Sequence, residues 1–150
     1  MLHVDAALQV KVERLYATYA WAVDQGDFDL LDSIITEDIT ITRGGVEIPG
    51  HEAFVEVYRN SWSGDFSASR HYISNIMAIR EADGSIRGRA YFNAVFVRSD
   101  RTTMIVGRYE DTIVERDDIV LLSDKRIMVE GVVELPESAR EWGGKPLVSR

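Results

Sequence analysis

The chain has 150 residues, 45% apolar and 28% charged, with a formal net charge of -8 and no cysteine. That length and balance suit one domain, residues 1-150, with a real hydrophobic core, and the missing cysteines exclude disulfides, thiolate ligands and thiol chemistry. The negative charge argues against a nucleic-acid partner, and no apolar run approaches the roughly 20 residues of a membrane span.

The opening Met-Leu-His-Val-Asp-Ala has neither the basic stretch nor the apolar core of a signal peptide, so a cytoplasmic protein with no membrane partner is expected. Leu8, Val12, Leu15, Tyr16, Tyr19, Ala20 and Val23 then recur at three- and four-residue steps and predict an amphipathic helix. Gly26 is placed to cap its end. Asp27 is a plausible N-cap for a second helix carrying Phe28, Leu30, Leu31, Ile34 and Ile35. Residues 39–42 alternate as a strand, Arg43-Gly44-Gly45 turns, and Val46 to Ile48 returns before Pro49-Gly50. A third helix is expected from about His51 to Trp62.

From Ser69 onward the pattern changes to long strands: Arg70 to Glu81, Ile86 to Arg98, Thr102 to Glu115 and Ile119 to Glu130. The Ala82-Asp83-Gly84-Ser85, Ser99-Asp100-Arg101 and Arg116-Asp117-Asp118 turns join them into an antiparallel meander. A tail from about 132 to 150 shows no period. The basic pairs Arg87/Arg89 and Lys125/Arg126 are too few, and too interleaved with acids, for a binding stripe. Helices first and a long sheet afterwards is an α+β arrangement. A strongly curved, mainly antiparallel sheet wrapped round N-terminal helices in its concave face makes a cone-shaped barrel, whose open mouth is the usual place for a small molecule.

The residues with most chemical content are Asp24, at the end of the first helix, and His71, at the start of the first long strand. Asp24 continues the apolar stripe, where the helix dipole disfavours a carboxylate. A neighbouring imidazole would compensate it, and the carboxylate would in turn fix that imidazole's tautomer for proton transfer. Such a pair needs neither a metal nor an organic cofactor. Alternation puts Asn75 on the His71 face, where it either bonds a ligand oxygen or satisfies a backbone group. Tyr16 and Tyr19 are candidate pocket hydroxyls, although core packing is the commoner role of such residues. Tyr91 and Asn93 alternate together as lining candidates. Arg108 either pairs with Glu110 on its own strand face or anchors an anionic group. His3 and His51 make no metal site with His71 that the spacing supports. Dinucleotide, phosphate-loop, nucleophile-elbow and zinc-hydrolase motifs are all missing.

The run Leu15-Tyr16…Val23-Asp24-Gln-Gly-Asp27-Phe-Asp29…Leu31…Glu37-Asp38 resembles the opening of the NTF2-like (SnoaL-like) superfamily, and Arg70-His71-Tyr-Ile-Ser-Asn75-Ile is similar to its first long strand. Within that superfamily Asp24 and His71 resemble the His-Asp dyad of the scytalone dehydratase and LinA branch. The resemblance implies a cofactor-independent lyase or isomerase, dehydratase- or cyclase-like, acting on a small, mostly apolar carbonyl or polyketide-like molecule. Arg70-His71-Tyr-Ile-Ser-Asn75-Ile, Gly107-Arg108-Tyr-Glu-Asp111 and Lys125-Arg126 also resemble the β subunits of ring-hydroxylating dioxygenases. That branch implies instead a non-catalytic partner subunit or a small-molecule binding module. Either way a homodimer or homotrimer is expected, with Phe92, Ala94, Phe96, Val106 and Met128 offering apolar cover on the outer sheet face.

Overall fold

Helix α1 (Ala6–Gln25) carries its apolar residues on one face and is capped at both ends. In this computed structural model, which describes residues 5–62 and 66–136, Asp5 accepts a hydrogen bond from the Leu8 amide at 3.0 Å. At the other end Gly26, with φ 65°, donates its N–H to the Ala22 carbonyl. A glycine enters this left-handed conformation without the Cβ clash other residues meet. Asp24 is buried together with Leu8, Val12, Leu15, Tyr16, Tyr19, Ala22 and Val23. The second helix, α2 (Phe28–Asp32), is capped by Asp27 but stops short of Ile34 and Ile35. Strand β1 (Ile35–Arg43) takes over there, pairing Ile35 with Leu122. Cross-strand pairing of two β-branched residues outweighs their helical spacing.

Gly44 and Gly45, both at positive φ, make the two-residue turn from β1 to β2 (Val46–Pro49), as the strand twist requires. Helix α3 (His51–Trp62) has the expected span and buries Phe54, Val55 and Tyr58. Four long strands follow: β3 (Phe66–Arg80), β4 (Ile86–Arg98), β5 (Arg101–Arg116) and β6 (Ile119–Pro136). The sheet order is β2-β1-β6-β5-β4-β3. Neighbours are antiparallel except β1 and β6, which run parallel. The fold is thus α+β, with a six-stranded mixed sheet that does not close. Its inner face presents Ile39 and Ile41, Ile86, Ala90 and Phe92, Tyr109 and Ile113, and Leu122 to the buried stripe of α1.

Three expectations change. Phe92 and Ala94 are buried and Phe96 packs against the core, so these three face inward and give the outer face no cover. Tyr91 and Asn93 alternate with them and are exposed. On β3 the register moves from Ser74↔Tyr91 to Met77↔Arg89, a β-bulge in which Asn75 takes φ 54°. The extra residue switches which side chains point inward: Ile73 and Ile76 both pack on the core, and Asn75 is exposed. Finally, β6 extends to Pro136 because β5 offers partners down to Arg101, so the tail does not begin at 132. Residues 137–150 lie outside the described residues.

Candidate active site

His71 and Asp24 meet. Asp24 lies in the last turn of α1 and His71 near the start of β3, and the packing of α1 on β3 brings the His71 Nδ1 within 2.7 Å of Asp24 Oδ1. The His71 backbone N–H donates to Asp24 Oδ2 at 2.7 Å, and the Ser69 hydroxyl donates to Oδ1 at 2.8 Å. Burial by itself raises the Asp24 pKa. Its bonds to the His71 ring, the His71 amide and Ser69 outweigh that and hold the carboxyl below its ordinary value. An ionised carboxylate only accepts, so Nδ1 carries the proton and Nε2 is the ring's remaining nitrogen. The imidazole edge-packs against Phe96 (centroids 5.7 Å apart) and Tyr19 (6.4 Å), which fix its plane.

His71 lines a cavity of about 350 Å³ on the inner face of the sheet. Its walls are mostly apolar or aromatic: Tyr19, Tyr58 and Tyr109, Phe92 and Phe96, Trp62, and the aliphatic Val23, Ala94, Ile105, Ile127 and Val129. Ser61, Ser69, Arg43 and Gly44 supply the remaining lining. The Trp62 indole N–H donates to the Val23 carbonyl at 2.6 Å, tying α3 to the residue that precedes Asp24. A Cβ on Gly26 would lie 3.0 Å from the Trp62 ring, so the glycine also leaves room for that wall.

The hydroxyls of Tyr19 and Tyr58 are 2.8 Å apart. The Tyr19 hydroxyl also bonds that of Tyr109, so three O–H groups share two hydrogen bonds and one O–H of the three is left to donate elsewhere. Burial pushes both phenols, and that of Tyr109, well above their ordinary range, so all three are neutral donors at physiological pH.

Beneath this wall lies a group not foreseen from the sequence. Lys125 and Asp111 are both fully buried, with Nζ 2.9 Å from Oδ2. Lys125 is therefore no part of a basic surface pair. Asp111 also accepts from the Tyr16 hydroxyl and the Arg126 amide, each at 2.9 Å. The ammonium sits 3.3 Å from the ring centroid of Tyr109 and 4.5 Å from that of Tyr19, in cation–π range of two rings that line the cavity. Burial drives the Asp111 carboxyl up and the Lys125 ammonium down, and their mutual attraction opposes both shifts.

Of the other expected substrate residues, Tyr19 lines the cavity. Tyr16 does not: it is buried behind it, bound to Asp111 and stacked on Tyr109. Asn75, Tyr91 and Arg108 do come together, but on the outer face, in a depression shared with Met77, Arg89 and Glu110. Arg108 is paired there with Glu130 and Glu110. Asn93 is exposed on that outer face beside Tyr72 and Val106. The depression is as large as the inner cavity, at about 360 Å³, so volume does not separate the two. The inner one holds the His71–Asp24 pair, and chemistry decides. The cavity residue that periodicity could have revealed is Arg43, next inward position after Ile39 and Ile41. Among the described residues no group of three or more His, Cys, Asp or Glu is placed to share a metal ion.

An α+β sheet cupping an aromatic cavity beside its first helix defines the class of protein, the NTF2-like fold. The SnoaL-like domain family matches residues 5–124, and the chain belongs to that family. No curated protein matches it by sequence. Among solved structures it is similar to a provisionally assigned scytalone dehydratase from Novosphingobium aromaticivorans, with a TM-score of 0.75 at 17% identity over 83% of this chain and 85% of that one. A provisionally assigned aromatic ring hydroxylase of the same organism gives 0.78 at 21% identity over 89% and 96%. The type 3 hexachlorocyclohexane dehydrochlorinase LinA of Novosphingobium barchaimii gives 0.75 at 18% identity over 94% of each chain. At these identities the likeness is one of fold.

Proposed function

We propose that this protein is a cofactor-independent lyase or isomerase in which His71 is the acid–base catalyst and Asp24 its positioning partner. The observation that carries the reading is a proton-bearing Nδ1 held by a buried, ionised carboxylate while the same ring lines an apolar cavity. His71 Nε2 takes a proton from a carbon next to a carbonyl, and the electron pair moves onto the carbonyl oxygen. Asp24 stabilises the imidazolium that results, as in other carboxylate–His pairs. The remaining O–H of the Tyr58–Tyr19–Tyr109 chain donates to the developing enolate oxygen, a role preorganised donors fill well in a water-poor site. Nε2 then returns its proton either to a departing hydroxyl, which leaves as water, or to a second carbon. The first outcome is a dehydration, the second an isomerisation. Elimination also fits the names of two structural neighbours, a dehydratase and a dehydrochlorinase.

The wall chemistry points to a small, mostly apolar carbonyl compound. Acid–base catalysis supplies about 10²–10⁴-fold, with positioning in the cavity and the tyrosine donors supplying the rest. The test needs no substrate. Long-range ¹H–¹⁵N spectra of the His71 ring are expected to show Nδ1 protonated and Nε2 bare in the neutral form, and a mixture of tautomers in Asp24→Asn. A wild-type ring protonated at Nε2, or a tautomer indifferent to Asp24, would sink the proposal.

A further inference from the structure

Arg43 is the last residue of β1, and strand alternation puts it on the same face as Ile39 and Ile41, both fully buried. In register it lies beside Ile127, another cavity residue. Arg43 is exposed yet lines the cavity, and its guanidinium makes no hydrogen bond or ion pair among the described residues. Six other arginines (Arg59, Arg80, Arg87, Arg101, Arg108 and Arg126) are each paired with a carboxylate. No Asp or Glu lines the cavity, and its ionisable side chains are Arg43, His71 and three tyrosines. With those phenols held neutral by burial, Arg43 is the permanently charged side chain among the lining residues, and the ionised Asp24 stands behind His71. The Arg43 charge is a positive one, in a chain of net charge -8.

The placement of this charge is as informative as its sign. Arg43 is on β1 and His71 on β3, with β6, β5 and β4 between them. In a flat sheet four inter-strand steps would separate them by about 19 Å. Both line one cavity, so they stand on opposing walls of a bent sheet rather than side by side. A guanidinium presents a rigid fork that matches a carboxylate bidentately.

We infer that the ligand of this cavity is an elongated, mostly apolar carboxylate whose anionic end is held by Arg43 at the rim, several bonds away from the carbon that faces His71. The inference rests on the cavity being the reaction site and adds the substrate's charge and its polarity along the long axis. The aromatic walls take the body, and the carboxylate stays near solvent, where it keeps part of its hydration. It also stays clear of Asp24, whose negative charge would repel a carboxylate bound beside His71.

The test uses two probes of nearly equal shape, trans-cinnamate and trans-cinnamamide, titrated into the full chain. The Trp62 indole N–H, which bonds the carbonyl of the residue before Asp24, and the His71 ring resonances report binding in the cavity. The carboxylate is expected to bind on the order of fivefold more tightly than the amide at low salt, and less selectively as salt rises. That preference falls to near unity in Arg43→Gln and is partly kept in Arg43→Lys, which retains the charge without the fork. Both changes are at an exposed side chain, so both variants fold. Equal affinity of acid and amide for the wild type, or a preference that survives Arg43→Gln, overturns the anchor and leaves the acid–base reading standing. Failure of both probes to move Trp62 or His71 at millimolar concentration overturns both. An intact carboxylate preference beside a His71 ring protonated at Nε2 overturns the acid–base reading alone.

Discussion

Replacing Lys125 by Met removes the cation from a fully buried ion pair while keeping most of the side chain's volume. Asp111 would lose its 2.9 Å contact with Nζ but keep the Tyr16 hydroxyl and the Arg126 amide. Breaking a buried pair from one side costs about 3–5 kcal/mol, because the surviving charge is left uncompensated. Two remaining donors place the expected cost near the lower end, about 3 kcal/mol, a large share of a stability of about 5–15 kcal/mol. Lost attraction to the Tyr109 and Tyr19 rings adds to it. The cost also acquires a pH dependence. Burial raises the Asp111 pKa in the folded state, and without Lys125 nothing cationic opposes that. The folded state then binds more protons than the unfolded one, whose aspartates titrate near about 3.9. Stability therefore falls as pH rises, by about 1.4 kcal/mol per pH unit from about pH 4 up to the folded value. Urea unfolding of Lys125→Met at several pH values reads both effects. Asp111→Asn/Lys125→Met, which removes both charges, should recover most of the loss and the pH slope with it. A single-variant cost below about 1 kcal/mol, a stability that climbs with pH, or a double variant no better than the single would refute the reasoning.

Asp24 titrates in the opposite sense. Its folded pKa is lowered, so its contribution to stability is present above the unfolded value of about 3.9 and is lost as pH falls through the folded one. In His71→Ala burial is opposed only by Ser69 and the backbone amide, so acid unfolding followed by circular dichroism should shift to higher pH; an unchanged midpoint counts against the pairing. Two glycines of the sheet should differ in their tolerance of alanine. At Gly88 the new Cβ would meet the ends of two side chains, Tyr16 Oη at 2.7 Å and Ile113 Cδ1 at 2.8 Å, whereas at Gly107 it would lie 2.1 Å from the Met128 carbonyl oxygen. Side-chain ends can yield at about 1–3 kcal/mol and a paired backbone cannot. Urea midpoints should therefore rank Gly107→Ala well below Gly88→Ala, and the reverse order would be evidence against this packing.

Local rules carried the elements and the Asp24–His71 pair a long way. Helix caps at Gly26 and Asp27, the Gly44-Gly45 turn and the apolar stripe ending in Asp24 all act within a few residues, so they can be read from order alone. Errors arose where a choice depended on a distant strand. Strict alternation gives Asn75 the His71 face, but the bulge against β4 inserts a residue and reverses the parity. Tyr91 and Asn93 belong to a strand that is apolar at Phe92, Ala94, Val95 and Phe96 alike, so its pattern alone cannot say which set faces inward. Gly88 and Ala90 do, because Tyr16 and the α1 stripe need that space. Lys125 looked like half of a surface pair because nothing near it in sequence shows that Asp111 and three tyrosine rings surround it. Arg43 was hidden by its place next to a glycine turn, where a charge is ordinarily read as solvent-facing.

The parallel pairing of β1 with β6 also governs when this protein can exist during its own synthesis. Strand β1 ends at Arg43, and the strand that completes its inner edge begins at Ile119. At about 5–20 residues per second a ribosome takes about 4 to 15 s to cover that interval. Throughout it the β1–β2 hairpin has one edge open, carrying Ile39 and Ile41, while α1 holds its apolar stripe and the Asp24 carboxylate without a finished cavity. The meander from β3 to β5 can assemble as it emerges, since each of its strands pairs with the one just made. Arg43 acquires its place opposite His71 only when β6 slots between the two halves. A stall or truncation before Ile119 would therefore yield a nascent chain with two unsatisfied strand edges, β1 and β5, and nowhere for a ligand to sit.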